Sequence, residues 1–167
     1  MLTTNPVIFR AYDIRGIFGK TYFANDALKI GYCFGKILKK RLPDKDKLSI
    51  SICYDGRLSS PILRDYLIKG LMINGIEIID IGLGPSFLSY FSGHFLDVDA
   101  TIMITGSHSE KDVNGLKFTC QNESFFKNDI QIIKSYIDAL NKDEFDALLE
   151  AQNDTDLIKN VIYKDIK

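Results

Sequence analysis

"TIMITGSHSEKDVNGLKF", Thr101 to Phe118, holds the decisive pattern of this chain. A run of apolar, β-favouring residues stops at the small, hydroxyl-rich turn "TGSHSE". A second short apolar run follows, and it contains a lone lysine, Lys117. This reads as strand, turn, strand. A serine beside Gly106, on a turn whose backbone amides are free, can present its oxygen to solvent and to anionic groups. The same residues, Thr105 to Ser109, also read as a plain capping turn, and Lys117 as an exposed lysine on a short strand.

Working outward, the two structural periods alternate. "KLSISICY" (Lys47 to Tyr54) is β-branched and apolar. "SSPILRDYLIKGLMING" then puts Ile62, Leu63, Tyr66, Leu67, Gly70 and Leu71 on one helical face. Ser59 or Ser60 is placed to cap that helix, Pro61 suits its first turn and Gly75 ends it. "IEIIDIG" (Ile76 to Gly82) reads as a strand, "PSFLSYFSGHFL" (Pro85 to Leu96) as a helix and "DATIMIT" (Asp99 to Thr105) as a strand. A further amphipathic helix starts near Asn25, and another covers Asn128 to Leu140. The alternation predicts an α/β fold, a three-layer α/β/α domain with a mixed, largely parallel sheet of about four strands flanked by helices. In such sheets ligands gather beyond the carboxyl ends of the strands, which is where "TGSHSE" falls.

Composition narrows the function classes. The chain has 167 residues, and 21 Lys+Arg against 22 Asp+Glu leave no bulk charge to attract nucleic acid or an anionic membrane. The lysine-rich patch from Lys36 to Lys47 reads as a solvated helix end and loop. Cys33, Cys53 and Cys120 share no metal-ligand spacing, and "MLTTNPVIFRAYD" lacks the layout of a signal peptide. No apolar run approaches the ~20 residues that span a bilayer. A soluble, cytoplasmic protein is the expectation. Past Leu149 the sequence turns polar, so residues 1–150 are expected as one domain and 151–167 as a linker with the start of an absent second domain.

Two further stretches carry chemistry: "FRAYDIRG" (Phe9 to Gly16) and "YDGRLSSP" (Tyr54 to Pro61). Each sets an arginine beside Gly and acidic residues outside any helical pattern. Arginine in a glycine-bounded loop suits bidentate binding of phosphate, or pairs with Asp13 or Asp55 to fix the loop.

Taken together, these three stretches resemble the motifs of the α-D-phosphohexomutases, the family of phosphomannomutases and phosphoglucomutases. "FRAYDIRG" looks like the N-terminal motif and "YDGRLSS" like the second loop. "TGSHSEKDVNGLK" is similar to the phosphoserine loop, T-A/G-S-H-N-P-x-x-x-N-G-x-K. The resemblance runs from about Phe9 to Tyr136. It implies that Ser107 carries a phosphoryl group and exchanges it with a hexose phosphate, mannose or glucose 1- or 6-phosphate, through a hexose 1,6-bisphosphate. It implies Mg²⁺ on the phosphoserine oxygens, so that Ser107 is the metal residue of this chain. Lys117 would be the general acid/base, Arg15 would hold charge and geometry beside it with Tyr12 nearby, and His108 and Asn114 would shape the serine loop. In the same carry-over Ser107, Lys117, Arg15 and His108 are catalytic, and Tyr12, Arg15, Asn114 and Lys117 bind substrate.

The chain departs from that pattern in places. Ser109-Glu110 stands where Asn-Pro is usual, and "GPSFLSY" where G-x-x-P-T-P is usual. The metal, sugar and phosphate loops of the later domains (D-G-D-x-D-R, G-E-x-S-G-H and R-x-S-x-T-E-P) do not occur. "FSGH" (Phe91 to His94) lacks the glutamate of the sugar loop and reads as helix. The resemblance therefore implies an N-terminal domain that is inactive alone, either an excised domain or half of a split enzyme whose second chain supplies the missing loops. The alternative is a non-catalytic remnant or interaction module.

Overall fold

The computed structural model describes residues 3–166. In chain order its elements are β1 (Ile14–Ile17), α1 (Ala24–Arg41), β2 (Ser49–Tyr54), α2 (Ser60–Met72), β3 (Glu77–Leu83), α3 (Ser86–Phe95), β4 (Ala100–Ile104), β5 (Val113–Cys120), β6 (Glu123–Phe125), α4 (Asn128–Asp138), α5 (Lys142–Asn153) and β7 (Ile162–Tyr163). Seven strands form one mixed sheet in the order β1-β5-β4-β2-β3-β7, with β6 on β5.

The sheet thus has more strands than the four expected. β2, β3, β4 and β7 run parallel, while β1, β5 and β6 add antiparallel pairs on one side. The unforeseen strands are short, and β1 reads only Ile-Arg-Gly-Ile. β6 folds back through Gln121 and Asn122, both at positive φ, as a tight hairpin requires.

Strands buried on both faces must be apolar throughout, because each successive side chain enters a different layer. In β4, Ile102 and Ile104 join the large core with α1, α2 and α4, while Met103 joins a smaller one with Cys53, Ile79, Ile81 and Leu88 of α3. The three layers are therefore unequal. His94 lies exposed in the last turn of α3 and takes no part in the site. No helix of the described residues is long and apolar enough to cross a membrane.

The expected helices form, with local corrections. Ile62 is 42% exposed and lies off the buried face. Ser59 stands at the N-cap of α2 but makes no side-chain capping bond, because the hydroxyls of Ser59 and Ser60 serve the loops described below. Gly75, at φ 70°, does end the α2 segment, its N–H donating to Met72 O. α5 was not foreseen in the polar run after Leu140, although Asn141 and Glu144 form a capping box there. α5 continues to Asn153, Val161 is buried in the core, and β7 pairs with the edge of β3.

α1 and α2 cross closely at two glycines. A Cβ on Gly31 would lie 2.3 Å from Leu67 O, and one on Gly70 would lie 2.0 Å from Leu28 O. Helix propensity alone favours Gly→Ala by about 1 kcal/mol, but a clash with rigid backbone costs about 1–3 kcal/mol. Gly70→Ala is therefore expected to destabilise the fold by about 1–2 kcal/mol in urea unfolding. A stabilised variant would show that the two helices do not pack at this distance.

Candidate functional site

Parallel strands end on the same side of a sheet, so the loops after neighbouring β2 and β4 must meet. Asp55, just past β2, donates its N–H to Ile104 O at the end of β4 (3.0 Å). β1 pairs with β5 in the register Arg15↔Gly115, which brings Arg15 over the arm that leaves the serine loop. The three motifs found in the sequence thus converge for topological reasons.

Ser107 is exposed and has φ 55°, a left-handed conformation that costs a non-glycine residue on the order of 1 kcal/mol. Its N–H donates to Thr105 Oγ1 (2.8 Å), and Thr105 in turn hydrogen-bonds Asp55. His108 Nδ1 lies 3.5 Å from Ser107 Oγ. A cavity of about 430 Å³ is lined by Tyr12, Arg15, Tyr90, Ser107, His108 and Lys117, among others. Five of the six expected site residues therefore share one cavity.

The two positive groups there retain donors. Arg15 gives Nε and Nη2 to Asp13 and Nη1 to Ser109 Oγ (3.0 Å), three of its five N–H groups. The Lys117 side chain, half-buried, makes no hydrogen bond or ion pair among the described residues. Tyr12 is 70% exposed and stacks on Phe126 with ring centroids 6.2 Å apart. The N–H of Lys127 donates to Ala11 O, so the turn after β6 holds the Tyr12 loop. Nothing in the sequence pointed to Phe126.

Asn114, expected to bind substrate and to shape the serine loop, does not line this cavity. It is fully buried, its amide nitrogen donates to Ser59 Oγ (2.8 Å) and Ser60 Oγ (3.0 Å), and its oxygen accepts from Gly115 N. It ties the loop after β2 to the start of β5. Arg57 likewise stands outside the cavity. It pairs with Asp55 and donates to the main-chain carbonyls of Ser107, Ser109, Glu110 and Val113.

Sequence reasoning missed Asp55 as a hub, although "YDGR" contained it. Burial pushes its carboxyl up, but hydrogen bonds from Thr105, Ser60 and the Arg57 N–H, with the Arg57 charge, outweigh that and hold it below the usual range. A carboxyl lowered by folding stabilises the fold above its unfolded value, near 4, and that contribution is lost as pH falls through the folded value. Asp55→Asn is expected to lower Tm at pH 7 and to flatten the fall in Tm below about pH 4. Thermal unfolding followed across pH checks this, and parallel curves for the two proteins would refute it.

Among the described residues, no three His, Cys, Asp or Glu side chains cluster as a metal site. The side chains described do not by themselves fit Mg²⁺.

Comparison with known proteins adds to this geometry. Residues 6–144 match the family model described as phosphoglucomutase/phosphomannomutase, alpha/beta/alpha domain I. A phosphomannomutase/phosphoglucomutase of Pseudomonas putida is 37% identical over 126 residues, which cover 75% of this chain and 26% of that protein. A phosphoglucomutase of Neisseria meningitidis is 35% identical over 140 residues, covering 84% of this chain and 29% of that one. The crystal structure of a phosphoglucomutase/phosphomannomutase family protein from Burkholderia thailandensis superposes with TM-score 0.72 at 33% identity, over 82% of this chain and 30% of that chain. The chain thus spans under a third of the length of these relatives.

Proposed function

Because the chain belongs to the phosphoglucomutase/phosphomannomutase family, as its alpha/beta/alpha domain I, we propose that Ser107 is a phosphoryl carrier for hexose phosphates. The observation that carries this reading is a serine held at φ 55° at the rim of a cavity that also contains Lys117 and the unspent donors of Arg15.

The step runs from phosphoserine to a free hydroxyl of a hexose monophosphate of mannose or glucose. The O–P bond to Ser107 breaks and a new O–P bond to the sugar forms. Lys117 Nζ, in its neutral amine form for this step, takes the hydroxyl proton and becomes the ammonium, and a protonated His108 is at hand to give the departing serine oxygen its proton. The resulting hexose 1,6-bisphosphate returns its other phosphate to Ser107. Arg15 offers its free N–H groups to the transferring phosphoryl oxygens, and Tyr12 forms a wall of the cavity. Mg²⁺ would offset phosphate charge in this chemistry, with its ligands other than a phosphate on Ser107 supplied by polypeptide outside this domain. The remaining contacts to the sugar fall to polypeptide beyond this domain, in the same chain or a second one, so the domain alone is expected not to turn over substrate. In this reading the protein works in the cytoplasm.

A second reading, a non-catalytic interaction module, is favoured by the outer face of α3. Phe87 is 68% and Phe95 62% exposed there, and Phe91 stacks on Phe95. Incubation with glucose 1,6-bisphosphate and Mg²⁺, followed by intact mass and peptide mapping, separates the two. The carrier reading expects a gain of one phosphate on Ser107 that Ser107→Ala abolishes. Phosphate on another residue, or no gain in either the protein or a Ser109→Asn/Glu110→Pro variant, would favour the module.

A further inference from the structure

The five N–H groups of Arg57 are all spent inside the protein. Nε donates to Asp55 Oδ2 (3.1 Å), Nη1 to Glu110 O and Val113 O (2.8 Å), and Nη2 to Ser107 O (3.0 Å) and Ser109 O (2.9 Å). A guanidinium has five donors and no more. We infer that Arg57 is a positioning residue: it holds the serine loop in its phosphoryl-accepting shape and does not bind phosphate.

Three observations carry this. Arg57 lines a different cavity, of about 720 Å³, whereas Ser107, Lys117 and Arg15 line the smaller one. The serine loop is the wall between them. Second, the guanidinium lies against Gly106: a Cβ there would come 2.5 Å from Arg57 Cζ and 2.6 Å from Nε, so the loop is cut to fit this side chain. Third, a carbonyl oxygen is the negative end of a peptide dipole, and four of them from the loop are turned onto one cation. That draws negative charge away from where a phosphate dianion would sit on Ser107 Oγ, and it steadies a backbone otherwise strained at Ser107. Lysine cannot replace this clamp, since an ammonium offers three donors from a single point.

The inference rests on reading Ser107 as the phosphoryl acceptor, and the test separates the two. Amide hydrogen exchange across residues 107–113 and the rate of Ser107 phosphate loading from glucose 1,6-bisphosphate are measured for the native protein, Arg57→Ala and Arg57→Lys. Arg64→Ala in α2 serves as a control, and far-UV circular dichroism reports folding. Both Arg57 variants are expected to lose loop protection and to load about 10- to 100-fold more slowly, as small misplacements of a reacting group do. Added guanidinium is expected to restore both properties to Arg57→Ala. Native protection in both variants would overturn the inference, as would slow loading with protection intact, which would make Arg57 a phosphate ligand. If Arg57→Ala fails to fold, Arg57→Lys decides by the same criteria. If neither the native protein nor the Ser109→Asn/Glu110→Pro variant loads, the reading of Ser107 fails, while hydrogen exchange still decides whether Arg57 holds the loop.

Discussion

The serine loop depends on one ion pair, Asp55 with Arg57. Neither side chain reaches the cavity that holds Ser107, yet between them they bond the loop's main chain at Ser107, Ser109, Glu110 and Val113 and, through Thr105, its first turn. An arginine whose donors are all satisfied by carbonyls and one carboxylate is a framework element, because moving it would break five hydrogen bonds at once. The parallel neighbours β2 and β4 make the arrangement possible by ending side by side. A sheet with those strands apart would leave the two loops without contact.

Around this frame the positive charges divide into two kinds. Arg57 is saturated, whereas Arg15 keeps two N–H groups after its bonds to Asp13 and Ser109, and Lys117 keeps its ammonium unpaired. The difference matters for an anion, since only unsatisfied donors can be turned to it without breaking structure. Ser109 contributes a hydroxyl that joins Arg15 to the loop. The neighbouring Glu110 is exposed, and its carbonyl oxygen is held by Arg57. The substituted pair is thus built into the loop.

Much of this was legible in the sequence, for identifiable reasons. Long periodic segments such as Ala24–Arg41 and continuous apolar runs such as Ser49–Tyr54 announce themselves locally, and "TGSHSE" stood at the end of such a run. β1, β6 and β7 were not legible, because two to four residues carry no period and their pairing is decided by distant partners. The role of Arg57 was open between phosphate and Asp55, since the carbonyls that claim it lie some fifty residues along the chain. Ser60 looked like a helix cap, but the half-buried Asp55 carboxylate and Asn114 compete for its hydroxyl more effectively than the helix does. Asn114 entered the expected site through the motif resemblance alone, and its full burial under Ser59 and Ser60 depends on residues more than fifty positions away.

The serine loop is organised before any ligand arrives. The most direct test is ¹⁵N relaxation of the ligand-free protein across Ser107 to Val113. Order parameters near 0.85, as in rigid backbone, are predicted for these residues. Values below about 0.6 would contradict the account, because they would mean that Asp55 and Arg57 do not hold the serine in place.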